Sequence, residues 1–144
     1  MRFMVIVKAT ADSEKEGALP DPQRMVEMGK FNEELVKAGI MLAAEGLHPS
    51  IKGARVKFSG KSRTVTDGPF TETKELVAGF WLWQVKSLEE AIEWVKRCPN
   101  PHAGESTIEI RQVFEMTDLA PILSDEIIQH KEHLRAQLIG QAKQ

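Results

Sequence analysis

The run Val77-Ala78-Gly79-Phe80-Trp81-Leu82-Trp83-Gln84-Val85-Lys86-Ser87-Leu88-Glu89-Glu90-Ala91-Ile92-Glu93-Trp94-Val95 decides the fold, because it carries two hydrophobic periods in succession. Val77 to Val85 is apolar on both alternating faces, with Phe80 and Leu82 on one and Trp81 and Trp83 on the other. A strand of that kind lies inside a sheet that is covered on both sides. Ser87 with Glu90 three residues later forms a capping box. Leu88, Ala91, Ile92 and Val95 then recur at i, i+3, i+4 and i+7, the strongest helix signal in the chain. Cys98-Pro99 stops the helix, since the residue before a proline is pushed away from helical dihedrals.

Phe3 to Lys8 repeats the two-sided pattern, with Phe3, Val5 and Val7 on one face and Met4 and Ile6 on the other. It too reads as a central strand. A polar connection, Ala9 to Leu19, leads to Asp21-Pro22, a helix start with Asp as N-cap and Pro at the first position. Met28, Phe31 and Leu35 give one helical stripe, and Gly39 is the left-handed stop. Ile40 to Leu47 reads as a strand, although Ala43 and Ala44 favour helix. Ala54 to Ser59 and Arg63 to Thr66 alternate around Gly60-Lys61 as a hairpin, and Asp67-Gly68-Pro69 is a turn. Asn100 to Glu105 is a loop, Thr107 to Phe114 a strand, Asp118 to Ser124 a connector, and Asp125 to about Ile139 a weakly amphipathic helix.

Strand, helix, strand, hairpin, strand, helix, strand is the split βαβ order of an α+β, ferredoxin-like antiparallel sheet with two helices on one face, here with an extra C-terminal helix. One helical layer cannot bury both apolar faces of the two best strands. An apolar patch of that size is rarely left open on a soluble monomer. The expectation is a homodimer with sheets packed face to face, the tryptophan-bearing surfaces of the two copies hidden against each other.

Composition bounds the rest. The 144 residues suit one domain with one core. At 42% hydrophobic and 28% charged, the chain is globular in composition. A formal charge of -2 gives no basic excess, so nucleic acid is not an expected partner. No apolar run is long enough to span a membrane, and the short apolar start has no cleavage pattern, so no membrane partner and a cytoplasmic location are expected. Cys98, the single cysteine, excludes an internal disulfide and reads as structural. Phosphate loop, dinucleotide fingerprint and Ser–His–Asp order are all missing, and no cofactor is expected. His130 and His133 stand one turn apart on the last helix and read as solvated, so no metal is expected.

The run Asp67-Gly68-Pro69-Phe70-Thr71-Glu72-Thr73-Lys74-Glu75 closely resembles the signature of the DGPF subgroup of YCII-related proteins. Gly79-Phe80-Trp81, Glu89-Glu90-Ala91 and Ile108-Glu109-Ile110-Arg111 also look like that family. The resemblance covers about Met1 to Met116 and makes 1–117 the family domain and 118–144 a helical extension. It implies a ferredoxin-like domain paired as a dimeric α/β barrel, with largely undetermined biochemistry. Relatives in the wider superfamily are proposed to use a His–Asp pair in a cleft, and some are lyase-like. DGPF proteins are often linked to extracytoplasmic-function sigma factors. The superfamily histidine lies in the first helix, and here Arg24 to Phe31 contains none, a departure from the pattern.

Asp67 is the first candidate. In one reading its carboxylate accepts N–H bonds inside its own turn. In the other the turn holds that carboxylate at the rim of a cleft. His48, at the end of the second strand, is the available acid or base, since imidazole titrates near neutrality. Arg111 is the candidate for gripping an anionic group. Glu72 and Arg63 are the remaining substrate-binding candidates, Arg63 belonging to the basic stretch Lys52 to Arg63, which lacks acids. Two functions follow. One is a cofactor-free small-molecule enzyme using Asp67 and His48. The other is a non-catalytic dimeric binding or regulatory module working with a sigma factor.

Overall fold

The computed structural model describes residues 1–142 and divides into two compact units, Met1–Val113 and a second beginning at Phe114. In the first, a four-stranded antiparallel sheet has the order β2-β5-β1-β6, built from β1 (Arg2–Lys8), β2 (Met41–Gly46), β5 (Val77–Gln84) and β6 (Ile108–Gln112). Helix α1 (Pro22–Lys37) joins β1 to β2, and α2 (Leu88–Lys96) joins β5 to β6. Strands β3 (Ala54–Ser59) and β4 (Ser62–Asp67) form a separate two-stranded ribbon between β2 and β5. This mixed α+β arrangement is consistent with a ferredoxin-like fold. Both two-sided strands, β1 and β5, are indeed internal. The second unit holds the short α3 (Met116–Leu119), which overlaps the start of the stretch Asp118 to Ser124 expected as a connector, and α4 (Asp125–Ala142). No helix among the described residues is long and apolar enough to cross a membrane.

The helix ends follow local chemistry. The Asp21 carboxylate accepts the Gln23 N–H at 3.0 Å, and Pro22 occupies the first position, where a missing donor does no harm. Ser87 Oγ accepts the Glu90 N–H at 3.1 Å, while the Glu90 carboxylate reaches back to the N–H of Lys86 at 2.8 Å. The reciprocal bond of the capping box therefore lands one residue ahead of the cap.

The core lies between the helices and one sheet face. Phe3, Val5, Val7, Trp81 and Trp83 meet Phe31 and Leu35 of α1 and Ala91 of α2. Trp83 and Leu35 are fully buried at 0% exposure. The three aromatic rings pack edge-on and tilted, with centroids 5.6 to 6.3 Å apart. Trp81 Nε1 donates to Asn32 Oδ1 at 2.9 Å. The expectation that two copies hide their tryptophan surfaces against each other is therefore corrected: the chain's own helices cover that face. The face without a helical layer in this unit carries Met4 and Ile6 of β1 and Phe80 and Leu82 of β5, in register as Met4↔Leu82 and Ile6↔Phe80. Ala43 and Glu45 flank them on β2, and Glu109 and Arg111 on β6. Ile6, Phe80 and Leu82 are half-buried and Met4 is exposed.

Candidate functional site

Three loops meet beside the ribbon, joined by hydrogen bonds that no spacing in the sequence announces. The connection 9–19, polar to the eye, supplies Glu14. Its carboxylate accepts the Ser50 N–H at 3.0 and 3.2 Å and the Ser50 hydroxyl at 2.5 Å. Ser50 Oγ accepts the Phe70 N–H at 2.9 Å, and the Gly68 N–H donates to the Gly53 carbonyl at 3.0 Å. Together these bonds clamp 48–53, just after β2, onto the turn that follows β4.

Gly68 is fixed by sterics. A Cβ at that position would lie 1.8 Å from the Ser50 carbonyl oxygen, so only a residue without a side chain lets the two backbones approach. The restriction on the residue before Pro69 is real, but the nearer cause is this contact. The Gly68–Pro69 peptide is cis. The Phe70 ring supports the Arg55 guanidinium, whose carbon sits 3.9 Å from the ring centroid.

Asp67 is the last residue of β4, paired with Ala54, and is exposed. Among the described residues its carboxylate accepts no hydrogen bond and joins no ion pair. The reading in which it braces its own turn thus loses its physical basis: the turn's N–H groups go to Gly53 and Ser50 instead. His48 is exposed and lines a shallow hollow of about 340 Å³ with Leu19, Ile51 and Lys52. No hydrogen bond links His48 to Asp67, yet their loops are tied together, since Ser50 lies two residues past His48 and Phe70 three past Asp67.

The other candidates stand elsewhere. Arg111 is on the sheet face that lacks a helical layer in its own unit and pairs with Glu109 at 3.4 Å. Arg63 donates to the carbonyls of Gly60 and Ser62 at 3.0 and 2.8 Å and lies 4.5 Å over the Phe58 ring, so it is engaged at the ribbon tip. Glu72 precedes a 3-10 turn at Thr73–Glu75, its carbonyl accepting the Glu75 N–H at 2.9 Å and its side chain exposed. No hydrogen bond or ion pair among the described residues joins Arg111, Arg63 or Glu72 to Asp67 or His48. Nor does any group of three or more His, Cys, Asp and Glu among those residues stand ready for a metal ion. Cys98 is partly buried beside Met28, and burial pushes its thiol up to about 12.

The YCII-related domain matches residues 1–117, a span that contains the whole sheet, both of its helices, the ribbon and the clamp. An uncharacterized protein of Rhizobium meliloti (strain 1021) is 31% identical over 91 residues, covering 63% of this chain and 73% of its own length. The matched span of more than three-quarters of the chain, and a relative at that identity, decide the kinship: this chain belongs to the family of YCII-related domains.

Proposed function

We propose that the protein is a cytoplasmic homodimer of the DGPF subgroup that carries out proton transfer on a small polar or aromatic molecule without a cofactor, with Asp67 as the ligand-facing carboxylate and His48 as its acid–base neighbour. The observation that carries this reading is the unengaged Asp67 carboxylate on a turn held by Glu14, Ser50 and Gly53. A carboxylate that merely fixed a turn would be bonded within it. A fixed backbone places the Asp67 carboxylate at one point on the rim and leaves its oxygens free to accept from a ligand's N–H or O–H. The subunit pairing rests on the sheet face without a helical layer in its own unit, which has an apolar middle and charged flanks, the composition of a subunit interface. Arg111, on that face, would then reach the site from the partner copy.

The test is an NMR screen of small polar and aromatic molecules against the wild type and Asp67→Asn. Expected is saturable binding to the wild type with shifts at Asp67 and His48, lost in Asp67→Asn while stability stays within about 0.5 kcal/mol, the usual range for surface changes. Binding that survives in Asp67→Asn, or a lowered melting temperature of that variant, would overturn this role for Asp67.

A second reading, a regulatory module bound to a sigma factor, is favoured by one feature. The unit beginning at Phe114 exposes Ile127, Leu134, Leu138 and Ile139 on α4. Loss of sigma-factor capture on removal of residues after Asp118 is the outcome this reading requires.

A further inference from the structure

The basic ribbon has no task in the reading above. Lys52 to Arg63 holds five cations and no acid. Register divides the side chains between two faces: Val56, Phe58, Val65 and Asp67 on one, and Arg55, Lys57, Thr64 and Thr66 on the other. Arg55, Lys57 and Thr66 of the second face line a hollow of about 480 Å³ together with Phe70 and with Val56, which stands between Arg55 and Lys57 in the strand. Neither Arg55 nor Lys57 has an acidic partner among the described residues. They stand about 7 Å apart along the strand, two uncompensated charges on one side. Arg55 is also held in place: its guanidinium lies on the Phe70 ring, and the Phe70 backbone is anchored by Ser50. A fork fixed by stacking loses less freedom on gripping an oxyanion than a free one.

We propose that this hollow binds the phosphate or carboxylate group of a small molecule, with Arg55 as the fork, Lys57 as a second charge, Thr66 as a hydroxyl donor and Phe70 as the platform that presets Arg55. The site goes beyond the Asp67 reading, because alternation along β4 puts Thr66 and Asp67 on opposite faces of the ribbon. Basic side chains that only protect exposed strands from edge pairing would need no platform such as the one Phe70 gives Arg55.

The experiment is an NMR titration of the full chain at constant ionic strength, with inorganic phosphate in one arm and benzoate in the other. Saturable shifts of the Arg55 Nε–H and Thr66 amide signals are expected, and the tighter probe identifies the headgroup. Arg55→Lys and Lys57→Ala should each weaken binding about tenfold, the scale of one lost charged hydrogen bond. Lys61→Ala removes an equal charge at the hairpin tip and should leave affinity within about twofold. Absence of saturation below about 10 mM in both arms, or an equal loss from Lys61→Ala and Lys57→Ala, would overturn the proposal.

Discussion

Gly68 and Cys98 show how much a single position can hold. The Gly68 α-carbon rests against the Ser50 carbonyl, and that contact, with the two N–H bonds beside it, keeps Asp67 at a fixed place. Gly68→Ala must drive the two backbones apart. It should lower stability by about 1–3 kcal/mol, the usual range for overpacking, as measured by the urea midpoint. Unchanged stability would mean that the clamp gives way freely. Cys98 carries a pH effect whose sign follows from burial. Its folded thiol is raised from 9.0 to about 12, so the native state keeps its proton where the unfolded chain has lost it. This contribution is complete below pH 9 and is lost as pH rises toward 12. In Cys98→Ala the slope of stability against pH above 9 should flatten. At pH 8 the native wild-type thiol should resist alkylation that the unfolded chain undergoes readily.

At the scale of elements, α2 and the ribbon both keep their period and differ from expectation in which side chains are buried. Leu88, Ala91, Ile92 and Val95 define the helix by spacing, but Leu88 and Ile92 turn out to be exposed. The side chains that pack on the core are Ala91, Trp94, Val95 and Cys98, again at i, i+3, i+4 and i+7 but set three residues later. Period is a local property, whereas the choice of stripe is made by the sheet beneath. The cap is local too. Ser87→Ala removes the acceptor for the Glu90 N–H and should cost about 1 kcal/mol, read from thermal or urea unfolding. The ribbon keeps the predicted alternation, yet every one of its strand residues is exposed, Phe58 at 70%. Its hydrogen bonds and the clamp at its base, not burial, keep it in place.

At the largest scale, the sheet face that has no helical layer in its own unit makes the strongest demand. Each large apolar side chain buried there would contribute roughly 1.5–3 kcal/mol. In a twofold dimer every substitution acts twice. Wild-type protein at micromolar concentration should therefore sediment at twice 16.2 kDa. Phe80→Asp should weaken association by at least about a hundredfold while circular dichroism keeps its shape. A wild-type monomer would remove the proposed pairing, and with it the reach of Arg111 into a partner's site.

The strand and helix periods, the capping residues and the nine-residue run at Asp67 were enough for the α+β order, the internal places of β1 and β5 and the YCII kinship, because each of these is written in short-range patterns. Which apolar face lies under the helices was beyond such patterns, since both faces of Phe80-Trp81-Leu82-Trp83 read alike and only the packing of Phe31 and Leu35 against Trp81 and Trp83 distinguishes them. The clamp was beyond them too. Glu14, Ser50 and Phe70 stand 36 and 20 residues apart, and a hydrogen bond across such distances exists only once the chain has folded and brought the donors to their acceptors.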